Sequence, residues 1–98
     1  MYIMDNRTLK DLLYEQVARV GKALASPKRL EMLEMLAQGE KSVEAVAEAV
    51  AVDIKLASAH LKALKEARLV QSRRDGKRML YRLSGQDVAQ LGVTLRQV

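Results

Sequence analysis

Apolar residues recur at helical spacing from the start of the chain: Leu9, Leu12, Leu13, Val17, Val20 and Leu24 fall three and four apart. The pattern predicts a first helix over about residues 8–25, with Thr8 as a candidate N-cap. One stripe would face a core, and the rest of so long a helix offers a surface for a partner. Ser26-Pro27 is a helix start, because Ser accepts a backbone N–H and Pro at the first position needs none. Leu30, Leu33 and Leu36, flanked by Met32 and Met35, carry that second helix over about 27–38, where Gly39 would supply a left-handed stop. Ser42 then caps a short helix, Val43–Val50, with Val43, Val46, Ala47 and Val50 on one face and Glu44 in the first turn.

Ala51-Val52-Asp53 interrupts the pattern, and Asp53 caps a fourth helix over about 54–67, with Ala57, Leu61 and Leu64 as its apolar positions. Two short helices joined by a three-residue turn read as a helix-turn-helix over about 43–67. Two strands, 69–74 and 78–83, flank Asp75-Gly76-Lys77, a hairpin signal, and give a wing over about 69–83. In the second strand Met79, Tyr81 and Leu83 share one side, with Leu80 and Arg82 on the other. Ser84 and Asp87 resemble a capping box before a last helix over about 85–97, with Val88, Leu91 and Leu95 on one face and Gly92 within it. The expectation is one domain over residues 1–98, mainly α with a small β-hairpin, in the order α-α-α-α-β-β-α.

Composition narrows the chemistry. The chain has 98 residues, 49% apolar, with only 3% aromatic, so the core is built from Leu, Val, Ala and Met. Without cysteine there is no disulfide framework, thiolate metal site or thiol chemistry. No apolar run reaches the roughly 18 residues of a membrane span, and MYIMDNRTLK does not read as a signal peptide. These features fit an intracellular protein, and the length favours a binding module over an enzyme with a large enclosed site.

The charge is unevenly spread. Residues 1–53 hold 7 Lys/Arg and 9 Asp/Glu, whereas residues 54–98 hold 10 and 3. Arg68, Arg73, Arg74, Lys77, Arg78 and Arg82 face only Asp75 in their stretch. A basic half on a small domain points to a polyanion, above all nucleic acid; the plainer alternative is a solvated basic hairpin.

At 100° per residue, Ala57, Leu61 and Leu64 mark the inner face of the fourth helix, while Lys55, Ala59, Lys62 and Glu66 point outward with Ser58 and Lys65 beside them. That face is small near its start and positive along its length, so it can enter a major groove about 12 Å wide. Lys55 and Ser58 lie where recognition helices meet base edges, and Lys62 and Lys65 where phosphates pass. An ordinary amphipathic surface helix would show the same stripe; the turn before it and the basic hairpin after it favour recognition. Arg73, Arg74, Lys77 and Arg78 surround the hairpin turn and can lie along a phosphate backbone. His60, the one histidine, falls on the flank of the fourth helix and suits a hydrogen bond to phosphate or within the chain better than a metal site. Ser58 and His60 point about 200° apart, which excludes a nucleophile–base pair.

Val52 to Leu64, then Glu66-Ala67-Arg68-Leu69-Val70, the wing Arg73 to Arg78 with Tyr81-Arg82-Leu83, and Ala23 to Leu30 together resemble ArsR-family winged helix-turn-helix repressors. Leu13 to Arg19 is more similar to the branch in which this domain precedes a rhodanese-like sulfurtransferase domain. The resemblance implies a cytoplasmic homodimer that binds palindromic double-stranded DNA and represses transcription, with Lys55, Ser58, Ala59, His60, Lys62, Arg73, Arg74, Lys77 and Arg78 at the DNA. It also implies dimerisation through the first and last helices, placing Leu9, Leu13, Val17, Val20, Val88, Leu91 and Leu95 at the interface. The metal-sensing pairs of the family fall on Ser42 and Glu44, and on Gly85 and Asp87, which supply no ligand set; neither metal nor cofactor is expected. Arg68 stands where the family often has Gly, so that junction should be more helical, and Ala59 removes a base contact often made there. The alternative is a winged-helix module for protein contact, or the regulatory half of a larger sulfurtransferase-containing protein.

Overall fold

A computed structural model describes residues 5–85. Helix α1 spans Asn6–Leu24, α2 Pro27–Leu36, α3 Val43–Ala49 and α4 Ile54–Glu66. Strand β1 spans Lys41–Ser42, β2 Val70–Asp75 and β3 Arg78–Leu83, forming an antiparallel sheet in the order β1-β3-β2. The last helix expected over 85–97, with Val88, Leu91 and Leu95, lies outside the described residues.

The caps decide most of the helix starts. Ser26, Ser42 and Asp53 each accept the backbone N–H three residues on, from Arg29, Ala45 and Leu56. At α1 the expected cap is corrected: Asp5, not Thr8, is the N-cap and accepts from the Thr8 N–H at 2.7 Å. With its N–H bonded to Asp5, Thr8 is the third helical residue, so the helix begins at Asn6. That bond also holds the Asp5 carboxyl below its ordinary pKa.

Both helices of the helix-turn-helix end in the same way. Past α3, Ala51 N–H bonds to the Glu48 carbonyl and Val52 N–H to that of Ala47; past α4, Arg68 N–H bonds to Lys65 and Leu69 N–H to Leu64. These are Schellman closures, which need a left-handed residue after the cap. Ala51 takes it at φ 57° and Arg68 at φ 64°. The expectation of a more helical junction at Arg68 is thus overturned: the closing bonds impose the glycine-like conformation on arginine. Gly39, by contrast, takes φ +140°, outside the left-handed helical region, because α2 has already ended and the chain is turning into β1.

The core lies where α2, α3 and α4 meet the sheet. Met32, Leu33, Val46, Val50, Leu61, Leu64 and Val70 are fully buried, and Tyr81 joins them from β3. Each such aliphatic side chain contributes about 1.5–3 kcal/mol by leaving water. Helix α1 contributes Ala23 to this core, with Val20 and Leu24 packed at its edge. Most of its apolar stripe lies elsewhere: Leu9, Leu12, Leu13 and Val17 are 46–68% exposed. Leu80 is also buried, on the sheet face opposite Tyr81, so strand β3 is apolar on both sides rather than alternating.

Candidate nucleic-acid interface

Helix α4 is pinned by Ala57, Leu61 and Leu64, all at 0% exposure. That burial turns Lys55, Ser58, Ala59 and Lys62 outward, and all four are exposed. Lys55 and Lys62 make no ion pair or side-chain hydrogen bond among the described residues. An exposed stripe with small residues beside free cations is the arrangement a groove-reading helix needs. One side of α4 is tied to the wing by Lys65 Nζ, which donates to Ser72 Oγ at 2.7 Å.

The other side of α4 carries His60. Arg29 Nε, from α2, donates to His60 Nδ1 at 3.0 Å. The half-buried imidazole is therefore a neutral acceptor facing α2, and not a group presented with Lys55 and Lys62. Burial, then the Arg29 charge, holds its pKa below the ordinary value. Of the two hydrogen bonds that the sequence suggests for His60, the structure shows the one within the chain.

In the wing, Asp75 pairs with Arg78, leaving the two-residue loop Gly76-Lys77. Gly76 takes φ +63°, which a hairpin turn of this length requires and a β-carbon would resist. Arg74, Lys77 and Arg78 are exposed around this tip, Arg78 with a long 3.9 Å approach to Asp75. Arg73 differs. Its Nε and Nη2 donate to the two carboxylate oxygens of Glu40 at 3.0 and 2.7 Å. The Glu40 carboxyl is held below its usual range, chiefly by these hydrogen bonds, and the Arg73 guanidinium is pushed up by the same pair.

Glu40 and Arg29 are the contacts that the sequence did not reveal. They lie 33 and 31 residues from their partners, and only the pairing of β1 with β3 and the crossing of α2 with α4 bring them together. Of the positions matching family metal ligands, Ser42 is used as the α3 cap, Glu44 is exposed in the first turn of α3 and Gly85 is exposed; Asp87 lies outside the described residues.

Residues 26–72 match the model of the arsR family of bacterial regulatory proteins, the stretch that runs from the α2 cap into β2. The HTH-type transcriptional regulator Rv0324 of Mycobacterium tuberculosis is 55% identical over 82 residues, 84% of this chain and 36% of the relative. Rv0081 of the same species, also an HTH-type transcriptional regulator, is 36% identical over 88% of this chain and 76% of its own length. The chain therefore spans about a third of the first relative and about three quarters of the second. Among solved structures, the homodimeric winged helix-turn-helix DNA-binding domain Mb0332 of Mycobacterium bovis superposes with a TM-score of 0.83 at 48% identity, over 99% of this chain and 88% of that one. With its pinned α4 and its hairpin wing, the chain belongs to the arsR family of bacterial regulatory proteins and has their winged helix-turn-helix fold.

Proposed function

We propose that residues 1–98 act as one DNA-binding domain of a cytoplasmic, non-enzymatic repressor, working as a homodimer on a palindromic operator. The observation that carries the reading is the outer face of α4, where Lys55, Ser58, Ala59 and Lys62 stand exposed while Ala57, Leu61 and Leu64 fix the helix from below. Lys55 and Ser58, nearest the helix start, read base edges in the major groove; Ala59 lets the helix sit deep; Lys62 contacts phosphate at the groove wall. Arg74, Lys77 and Arg78 at the wing tip anchor the backbone and supply affinity without sequence information. His60, hydrogen-bonded to Arg29, supports α4 from the side.

The exposed apolar stripe of α1 supports the dimer. Leu9, Leu13 and Val17, continued by half-buried Val20, form a surface that a second copy would cover, and the solved Mb0332 domain is described as homodimeric. A two-fold axis through α1 would set the two α4 helices about one DNA turn apart, near 34 Å.

Selection from a pool of randomised duplexes tests this. Sequencing of the DNA retained by the protein should return an inverted repeat with half-sites about 10 base pairs, or a multiple of that, apart. Retention of unenriched sequence, or of none, would contradict it.

A further inference from the structure

Strand β1 is two residues long, yet it joins the wing to the first helix of the helix-turn-helix. It pairs with β3 of the wing through Lys41↔Tyr81 and Ser42↔Leu80, and Ser42 is also the N-cap of α3. Glu40 stands immediately before it and reaches across the sheet to Arg73, the residue opposite Leu80 in β2. Both carboxylate oxygens and two guanidinium nitrogens are used, a fork that fixes orientation as well as distance. On the same sheet face Arg82 Nη2 donates to Gln71 Oε1 at 2.6 Å, so the wing root carries two side-chain ties, one between neighbouring strands and one that spans β3.

We propose that Glu40 is a positioning residue for DNA recognition: through its two-pronged bond to Arg73 it sets the pose of the wing relative to the helix-turn-helix and withholds the Arg73 charge from the phosphate backbone. The proposal rests on the DNA-binding reading above, and it reassigns Arg73 from anchor to brace. The geometry distinguishes Arg73 from its neighbours, since Arg74 and Lys77 have no such partner among the described residues. A carboxylate this close to a DNA-facing surface repels phosphate unless a cation neutralises it, and Arg73 does so within the chain. The low pKa of Glu40 keeps the pair charged wherever DNA binding is measured.

Glu40→Gln and Arg73→Ala separate these effects, first in the free protein and then on DNA. In the free protein, amide hydrogen exchange across β2 and β3 should speed up by about tenfold in both variants, with the amides of α4 unchanged. On a random duplex, Glu40→Gln frees Arg73, so binding should tighten and the slope of log affinity against log salt should steepen by about one. On the duplex selected by wild type the gain should be smaller, and the ratio of selected to random affinity should fall about tenfold. Arg73→Ala should lose the same selectivity without a steeper slope and, with Glu40 left uncompensated, should weaken binding on both duplexes; the double variant should recover that general loss but not the selectivity. Unchanged wing exchange in both variants would overturn the brace whether or not the protein binds DNA. A slope that drops by about one in Arg73→Ala, with Glu40→Gln indistinguishable from wild type, would also overturn it and make Arg73 a phosphate contact. Failure of wild type to select any sequence, with wing exchange altered in the variants, would strike the DNA-binding reading and leave the brace standing.

Discussion

Arg29 and His60 join α2 to α4, and their bond exists only while the imidazole is neutral. The arginine can only donate, so Nδ1 must accept. Protonation would remove the acceptor and set two cations side by side. Because the folded-state pKa lies below the ordinary 6.5, the folded chain takes up a proton less readily than the unfolded chain. The stability contributed by this contact is thus fully present above that value and is lost as pH falls through the lowered one. Melting temperature between pH 7.5 and 5 should fall more steeply in wild type than in His60→Gln. Parallel curves would show that the contact contributes nothing to the pH dependence.

The two left-handed residues predict a gain in stability. Ala51 and Arg68 carry side chains in a conformation that costs a β-carbon about 1–2 kcal/mol, and both are exposed. Ala51→Gly and Arg68→Gly should each stabilise the fold by up to about 1 kcal/mol, the relief being partly offset by the entropy of glycine in the unfolded chain. In a domain of this size that is a rise of about 4–8 °C. Thermal unfolding measures it, and a fall in both variants would contradict the closures described here.

Helix α1 predicts a separation of dimerisation from folding. Val17 is 68% exposed in the protomer, so a charge there should leave the fold intact. Val17→Glu should weaken the dimer at least tenfold, about 1.4 kcal/mol, with unchanged helical circular dichroism. Sedimentation at micromolar concentration checks this. A wild type that runs as an 11.0 kDa monomer, or a Val17→Glu variant as dimeric as wild type, would refute the role given to α1.

What was legible in the sequence follows from the range of the interactions. Ser26, Ser42 and Asp53 announce their helices because a cap acts over three residues, and Ala57, Leu61 and Leu64 orient α4 because core burial repeats at the helical period. The outward placement of Lys55, Ala59 and Lys62 then follows by rotation alone. Strand β1 could not be read, because two residues form no pattern and Lys41-Ser42 becomes a strand only by pairing with Leu80 and Tyr81. Arg68 misled for a related reason: its side chain gives no sign that closure of α4 onto Leu69 will demand a positive φ. The Glu40–Arg73 and Arg29–His60 contacts depend on long-range packing, so the partners of Arg73 and His60 could not be read from the sequence. The stripe of α1 was visible as apolar and as more than a core could take up, and Leu9, Leu13 and Val17 stand exposed in the protomer.

The division of labour between α4 and the wing is the centre of the account, and one experiment separates the two elements. Affinity against salt is measured for wild type, Lys55→Ala and Lys77→Ala, on the selected duplex and on a random duplex of the same length. Lys55→Ala should lose about 1–3 kcal/mol on the selected duplex and little on the random one. Lys77→Ala should weaken both by the same factor and lower the salt slope by about one. Equal losses on both duplexes with equal changes in slope for the two variants would contradict the assignment of reading to α4 and anchoring to the wing.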